Sequence, residues 1–187
     1  MTKSRRASGA KDNPYDQQEL DWFSKNSYNV ALKYSAIWHP HWVYKLISAS
    51  IIFCESFPTE LDLRERSDLQ LRRVFSEYLA AILLVTSARK QDNIESQLQD
   101  YLALRKHVAN FENKSVEMSD IWEAPLNEDL NKKLCGLLAF DFEAAVRLRD
   151  WDALSSITSK AEKCSNIWVL EVFADCLLSE EVPPESE

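Results

Sequence analysis

The sequence predicts an all-α protein of about seven helices stacked as antiparallel hairpins, and three observations carry that expectation. Glycine is confined to Gly9 and Gly136; with so few residues suited to positive φ, a fold built on tight β-hairpins is disfavoured. The stretch Phe140–Leu178, FDFEAAVRLRDWDALSSITSKAEKCSNIWVLEVFADCLL, reads as three successive amphipathic helices joined by minimal turns. Such helices cannot hide their apolar faces alone and must stack on one another. Finally, a 187-residue chain with 45% hydrophobic and 11% aromatic residues has the material for one real core.

Residues 1–13, MTKSRRASGAKDN, are small, polar and basic without periodicity, and are expected to form a flexible tail. Ser8 stands three residues after Arg5, the spacing that basophilic kinases grip, which makes it a candidate phosphorylation site. The single helical-repeat domain is expected to span 14–178. Its first helix begins near Asp16 and runs to about Ile37, with Leu20, Phe23, Val30, Ala31 and Tyr34 on one face. Pro40 resets the chain into a second helix that carries Val43, Leu46, Ile47, Phe53, Cys54 and Phe57 inward and stops before Pro58, so the first two helices form a hairpin.

Thr59 and Ser67 are both plausible starts for a third helix, because T-x-x-D and S-x-x-Q resemble capping boxes. Its apolar part, Leu71 to Val85, predicts the most buried helix of the chain. Asp92 or Asn93 caps a fourth helix whose stripe of Ile94, Leu98, Tyr101, Leu102, Arg105, Val108 and Phe111 ends near Lys114. From Ser115 to Leu126 the pattern lapses into an expected loop anchored by Met118, Ile121 and Trp122. A fifth helix runs from a cap at Asn127 to about Arg149. A break at Asp150 or Asp152 opens a sixth, with Leu154, Ile157, Ala161 and Cys164 on one face. Asn166 caps a seventh, apolar around most of its circumference. Residues 179–187, with Pro183, Pro184 and four glutamates, form an expected acidic disordered tail.

Chemistry-bearing motifs are sparse. Two glycines cannot build a G-x-G-x-x-G or a P-loop, so nucleotide sites of those kinds are excluded. The net charge of −8 opposes a nucleic-acid or anionic-membrane surface. The only basic cluster is Lys3, Arg5, Arg6 and Lys11; against Asp12 it leaves +3 there and −11 on the remainder. Cys54, Cys135, Cys164 and Cys176 are spaced without a metal or disulfide framework and read as buried thiols of a soluble intracellular protein. His39 and His41 flank a proline turn and lack a third metal ligand. Asp141, near the apolar stripe of the fifth helix, is an acid/base candidate if unpaired, but Arg147 or Arg149 is the expected partner. No metal, cofactor or catalytic residue is therefore expected. Six tryptophans should mostly pack helix pairs, and any left exposed would anchor partners.

Small residues Ala144 and Ala145 followed by the tight R-D-W-D-A-L turn give the pattern of tetratricopeptide-like repeats, degenerate in their consensus positions, and predict an α-solenoid segment. Four segments carry a more specific likeness: ELDWFSKNSYNVALKYSAIWHP (Glu19–Pro40), SARKQDNIESQLQDYLALRKHVANF (Ser87–Phe111), FDFEAAVRLRDWDALSSI (Phe140–Ile157) and LEVFADCLL (Leu170–Leu178). Through them the chain resembles the C-terminal part of the fungal meiotic scaffold family of the sporulation and synapsis-initiation "zipper" type. These are large tetratricopeptide-repeat proteins of chromosome pairing and crossover formation. The resemblance implies a non-enzymatic scaffold on meiotic chromosomes in the nucleus, holding crossover-promoting and synaptonemal-complex assembly factors.

Residue chemistry alone reaches only a helical scaffold that binds proteins. A generic cytoplasmic adaptor taking a peptide in its groove is the alternative, and a small helical enzyme using Asp141 or the His39/His41 pair is a third reading from another class. The apolar surplus of the seventh helix marks Trp168, Val169, Val172 and Phe173 as the expected contact surface, for a partner or a second copy of the chain.

Overall fold

In the computed structural model, which describes residues 14–164 and 166–179, the chain folds into seven α-helices with no strand among the described residues. They are α1 (Gln17–Tyr34), α2 (Pro40–Glu55), α3 (Leu63–Ala88), α4 (Ile94–Met118), α5 (Ala124–Arg147), α6 (Trp151–Lys163) and α7 (Ile167–Leu178). The tail expected at 1–13, with Ser8, and that expected at 179–187, apart from Ser179, lie outside the described residues.

All helices but α6, whose N-cap Asp150 makes no side-chain cap bond, start where the sequence supplies an acceptor for the free amides or a proline that needs none. Asp16 and Glu19 form a reciprocal capping box, each side chain accepting from the other's backbone N–H at 2.9 Å. Asn93 and Asn166 cap α4 and α7 through their side-chain oxygens. Pro40 occupies the first position of α2, and His39 Nδ1 accepts from the His41 N–H at 3.3 Å. The third helix begins at neither Thr59 nor Ser67 but after Asp62, whose carboxylate accepts from Glu65 N at 2.8 Å. Ser67 spends its hydroxyl on Trp122, accepting from the indole N–H at 3.0 Å.

The loop between α4 and α5 is shorter than the sequence pattern indicates, only 119–123. Pro125 sits in the first turn of α5 rather than ahead of it, and Asn127 caps nothing. Its side-chain amide instead donates to Ser119 O and Trp122 O, at 2.8 and 2.9 Å, closing the turn from inside. Met118 and Trp122 anchor this corner in the core, whereas Ile121 is exposed. Between α5 and α6 the chain reverses through Arg149 in the left-handed region, φ 56°. Asp150 N donates to Ala145 O and Arg149 N to Val146 O, at 2.9 and 3.0 Å, the paired bonds that end a helix where glycine is the usual residue. A non-glycine residue there costs roughly 1–2 kcal/mol.

Consecutive helices pack as hairpin-like neighbours from α1 to α6, and α7 returns to lie on α5, scarcely touching α6. Three apolar clusters result. Ala31, Val43, Ile47 and Leu83 join α1, α2 and α3. Leu84, Leu104, Phe111 and Leu137 join α3, α4 and α5. Phe142, Ile157, Val169 and Phe173 join α5, α6 and α7. The long helices α3 and α5 each serve two clusters, so both are buried on opposite faces. Where α1, α2 and α3 cross, the small buried residues Ser24, Ser50 and Ser76 let the backbones approach: Ser50 Oγ donates to Ser24 O at 2.9 Å and lies 3.4 Å from Ser76 Oγ.

The fully buried Glu77 of α3 sits within this packing. It lies 2.5 Å from His107 Nδ1 and accepts from Asn110 Nδ2 at 3.2 Å, both on α4, while His107 Nε2 lies 3.1 Å from the Tyr44 hydroxyl of α2. One carboxylate thereby ties three helices together. Glu77→Ala leaves a cavity and buried donors with no acceptor, and is expected to cost about 3–5 kcal/mol. Glu77→Gln retains an acceptor and is expected to cost less. Urea unfolding of both variants checks the order; a loss under about 1 kcal/mol for the alanine variant contradicts the assignment.

Candidate functional site

The predicted contact residues of the last helix divide between its two sides. Val169 and Phe173 face α5 and are buried, the Phe173 ring stacking on Phe142 at 3.9 Å between centroids, and Val172 is half-buried against the same cluster. Val169 and Phe173 cannot meet a partner while α7 is docked. Trp168 is exposed. On the open side, Ile167, Leu170, Ala174, Leu177 and Leu178 recur at i, i+3, i+7, i+10 and i+11, which places them on one helical face. Ile167 and Leu178 are 74% and 83% exposed. Glu171 and Asp175 separate this stripe from Trp168. Two apolar faces on one helix give no clue in the sequence to which of them docks. The choice is made by Phe142 and Ile157, which offer a matching surface to Val169 and Phe173.

A second exposed apolar area lies at the opposite end of the helix order, at the α1–α2 turn. Ile37, Trp38, Trp42 and Leu46 line a shallow depression of about 730 Å³, with Tyr34 stacked on Trp38 at 4.6 Å and Lys45 Nζ 4.6 Å from the Trp42 ring. In the sequence, the His39/His41 pair of this W-H-P-H-W run stands out as a candidate for an enzyme, not the exposed tryptophans beside it; His39 lines the depression.

Between α1 and α3 runs a larger cleft of about 1150 Å³. Tyr28, Leu71 and Phe75 supply apolar wall, and Asp16, Asp21, Glu65 and Asp68 supply carboxylates. Asp21 engages both cations of the cleft, accepting from Lys25 Nζ at 2.6 Å and Arg72 Nη2 at 3.1 Å. Burial raises its pKa, but these two neighbours outweigh burial and hold the carboxyl below its ordinary value. Glu65 accepts from Gln17 Nε2 at 3.4 Å, and Asp68 lines the same cleft one turn before Arg72.

The acid/base candidate Asp141 is paired, though not with Arg147 or Arg149. Arg105 of α4 donates to Asp141 Oδ1 at 2.9 Å and bridges to Asp150 at the head of α6. A parallel bridge joins Glu143 of α5 to Arg89 through two N–H donors and to the Tyr101 hydroxyl at 2.8 Å. Burial, reinforced by the Glu143 carboxylate, raises the Tyr101 phenol far above its ordinary value. Burial also pushes the Cys54 thiol up to about 11 and Cys135 up to about 12, which leaves both as neutral, poorly nucleophilic thiols near pH 7. Among the described residues no group of three His, Cys, Asp or Glu side chains is placed to hold a metal ion, and no helix is long and apolar enough to cross a membrane. Comparison with protein-family models, with curated proteins and with solved structures yields no match for this chain.

The Asp141 pair makes a pH-dependent prediction. Burial raises its carboxyl above the ordinary value and prevails over the opposing bond from Arg105. A carboxyl raised in the folded state contributes stability that is complete below its unfolded pKa, near 3.9, and is lost as pH rises through the folded value. Wild type should therefore lose stability relative to Asp141→Asn as pH rises from about 4 toward neutrality. Urea unfolding at closely spaced pH values checks this; a constant difference between the two proteins contradicts it.

Proposed function

We propose that this chain is a non-enzymatic protein–protein interaction scaffold, a segment of tetratricopeptide-like α-solenoid. The observation that carries the reading is the outward stripe of α7. A short helix docked by Val169 and Phe173 presents Ile167, Leu170, Leu177 and Leu178 to water on its other side. A helix closing a solenoid shows a polar outer face, so an apolar one is suited to a further helix, a second copy or a partner. Trp168 flanks the stripe with the large, rigid ring that supplies most energy in such contacts.

The resemblance to the meiotic "zipper"-type scaffolds supports a place on meiotic chromosomes in the nucleus, with crossover-promoting and synaptonemal-complex assembly factors as partners. The cleft between α1 and α3 favours a second reading, an adaptor that takes a peptide in its groove. Its lining carboxylates suit a basic segment.

The two readings separate in affinity capture with the full chain from meiotic and vegetative cells. Leu170→Glu with Leu177→Glu alters exposed positions with helix-forming residues and should move the unfolding free energy by no more than about 0.5 kcal/mol each. The scaffold reading expects at least about a tenfold loss of the meiotic partner set, since a few apolar anchors dominate an interface. Unchanged capture by that variant overturns the α7 face as the binding surface, and equal partner sets from both cell states overturn the meiotic placement.

A further inference from the structure

We propose that Cys135 of α5 and Cys164 at the end of α6 form a redox-active dithiol site, and that its oxidation by a small-molecule disulfide of the glutathione type latches α6 onto α5. The inference depends neither on the outer face of α7 nor on the α1–α3 cleft.

The register of the α5–α6 hairpin is the first argument. The chain reverses at Arg149 and Asp150. Phe142, Leu138 and Cys135 stand 7, 11 and 14 residues before Arg149, and Ile157, Ala161 and Cys164 stand 7, 11 and 14 residues after Asp150. Each set keeps the spacing of one helical face. All six side chains belong to, or pack against, the apolar cluster between the two helices. In an antiparallel hairpin, residues equally far from the turn lie at the same level. The faces therefore meet as Phe142 with Ile157, Leu138 with Ala161 and Cys135 with Cys164, and the small Ala161 lets the helices come close beside the thiols.

The surroundings of each thiol agree with that pairing. Burial first, and then the Cys164 thiol beside it, raise the Cys135 pKa to about 12. Cys176 packs on the same cluster at a different level. Phe173 stacks on Phe142, two turns or about 10 Å along α5 from Cys135. Cys176 lies further on, where burial and then the charges of Glu143, Arg89 and Arg147 act on its thiol. Cys54 belongs to α2 and is remote from this cluster.

Exposure sets the order of the chemistry. Cys164 is half-buried and Cys135 is buried, so Cys164 meets the oxidant first. Its thiolate attacks one sulfur of the small disulfide, forms a mixed disulfide and expels one thiolate, which takes up the proton that Cys164 lost. Cys135 then gives up its proton and attacks the Cys164 sulfur. The Cys135–Cys164 bond forms and the second small thiolate leaves with that proton. Two protein thiols are oxidised, and one disulfide is reduced to two thiols. The high pKa of Cys135 makes the second step slow, which fits a latch better than a rapidly cycling redox catalyst.

Closure acts where the fold is thinly held. The 13-residue α6 packs mainly on α5, with Lys160 reaching Glu112 of α4 at 2.6 Å. It cannot leave α5 unless Cys135 and Cys164 separate, and a disulfide forbids that separation. Cys164 also stands at the short turn into α7, so the latch fixes the root of the last helix.

The full chain equilibrated with oxidised and reduced glutathione at a series of ratios, quenched in acid and digested without reductant, tests this. Peptides joined through Cys135 and Cys164 should exceed any other protein disulfide at least about tenfold, because only neighbouring thiols can be bridged without moving the backbone. They should vanish with dithiothreitol, be absent from Cys164→Ser and persist in Cys176→Ser. Hydrogen exchange of α6 amides should slow at least about tenfold on oxidation of the wild-type chain and stay unchanged in Cys164→Ser treated alike. Absence of a protein disulfide at every ratio, Cys164 held only as the mixed disulfide, or Cys135 joined to Cys176 or Cys54 overturns the site. A Cys135–Cys164 bond that leaves α6 exchange unchanged overturns the latch.

Discussion

The fold depends on a carboxylate that has no access to water. Glu77 lies at the centre of the longest helix pair, and a lone charge in such a place is unaffordable, costing several kcal/mol even after relaxation. The cost is offset by Arg73 one turn earlier on α3, at 3.8 Å, and by His107 and Asn110, which present donors from α4, with His107 itself held by Tyr44 from α2. A shift of one residue between α3 and α4 removes the two α4 donors and leaves Arg73, at 3.8 Å, as its remaining partner. Glu77 therefore selects a register, while Leu84, Leu104, Phe111 and their neighbours supply the burial energy.

The same device recurs along the chain. Glu143 ties α5 to α3 through Arg89 and to α4 through Tyr101, and Arg105 ties α4 to α5 through Asp141 and to the head of α6 through Asp150. The ties among α3, α4 and α5 join elements that also share an apolar cluster, so packing and polar register agree there, whereas Arg105–Asp150 joins α4 to the head of α6 without one. α7 stands apart. Its attachment is a pair of apolar side chains and a ring stack on α5. Apolar contacts tolerate sliding and exchange of partners better than buried ion pairs do, which suits an element at an interaction surface.

Much of this was legible in the residues, and what was not has physical causes. Helical spacing and the scarcity of glycine indicate seven all-α elements. Of the alternatives Asp92 or Asn93 it is Asn93 that caps α4, and Asn166 caps α7, because caps act locally, whereas of Asp150 or Asp152 it is Asp150 that precedes α6, without a side-chain cap bond. The start of α3 was missed because Thr59 and Ser67 mimic caps, while the true cap, Asp62, is chosen by where the chain leaves α2. Asn127 misled for a related reason: a residue that suits a cap also suits closing the preceding turn. The partners of Asp141 and Glu77 lie 36 and 30 residues away in sequence, and no local pattern ranks Arg105 above Arg147 or His107 above a lysine. For α7 the sequence showed the apolar surplus but not its division, because Val169–Phe173 and Ile167–Leu170–Leu177 fit helical faces equally well. The α1–α3 cleft has no sequence motif at all; it exists because two helices nonadjacent in the chain face each other across α2.

The fold sets a centre fixed by buried carboxylates beside a last helix docked on α5 through apolar side chains, with an exposed apolar outer face. Native-state hydrogen exchange of the free full chain, read by mass spectrometry, tests that division most directly. Amides of α3 and α4 around Glu77 and His107 should exchange only through global unfolding, and those of α7 orders of magnitude faster through local opening. Exchange from α7 as slow as from α3 would contradict the account.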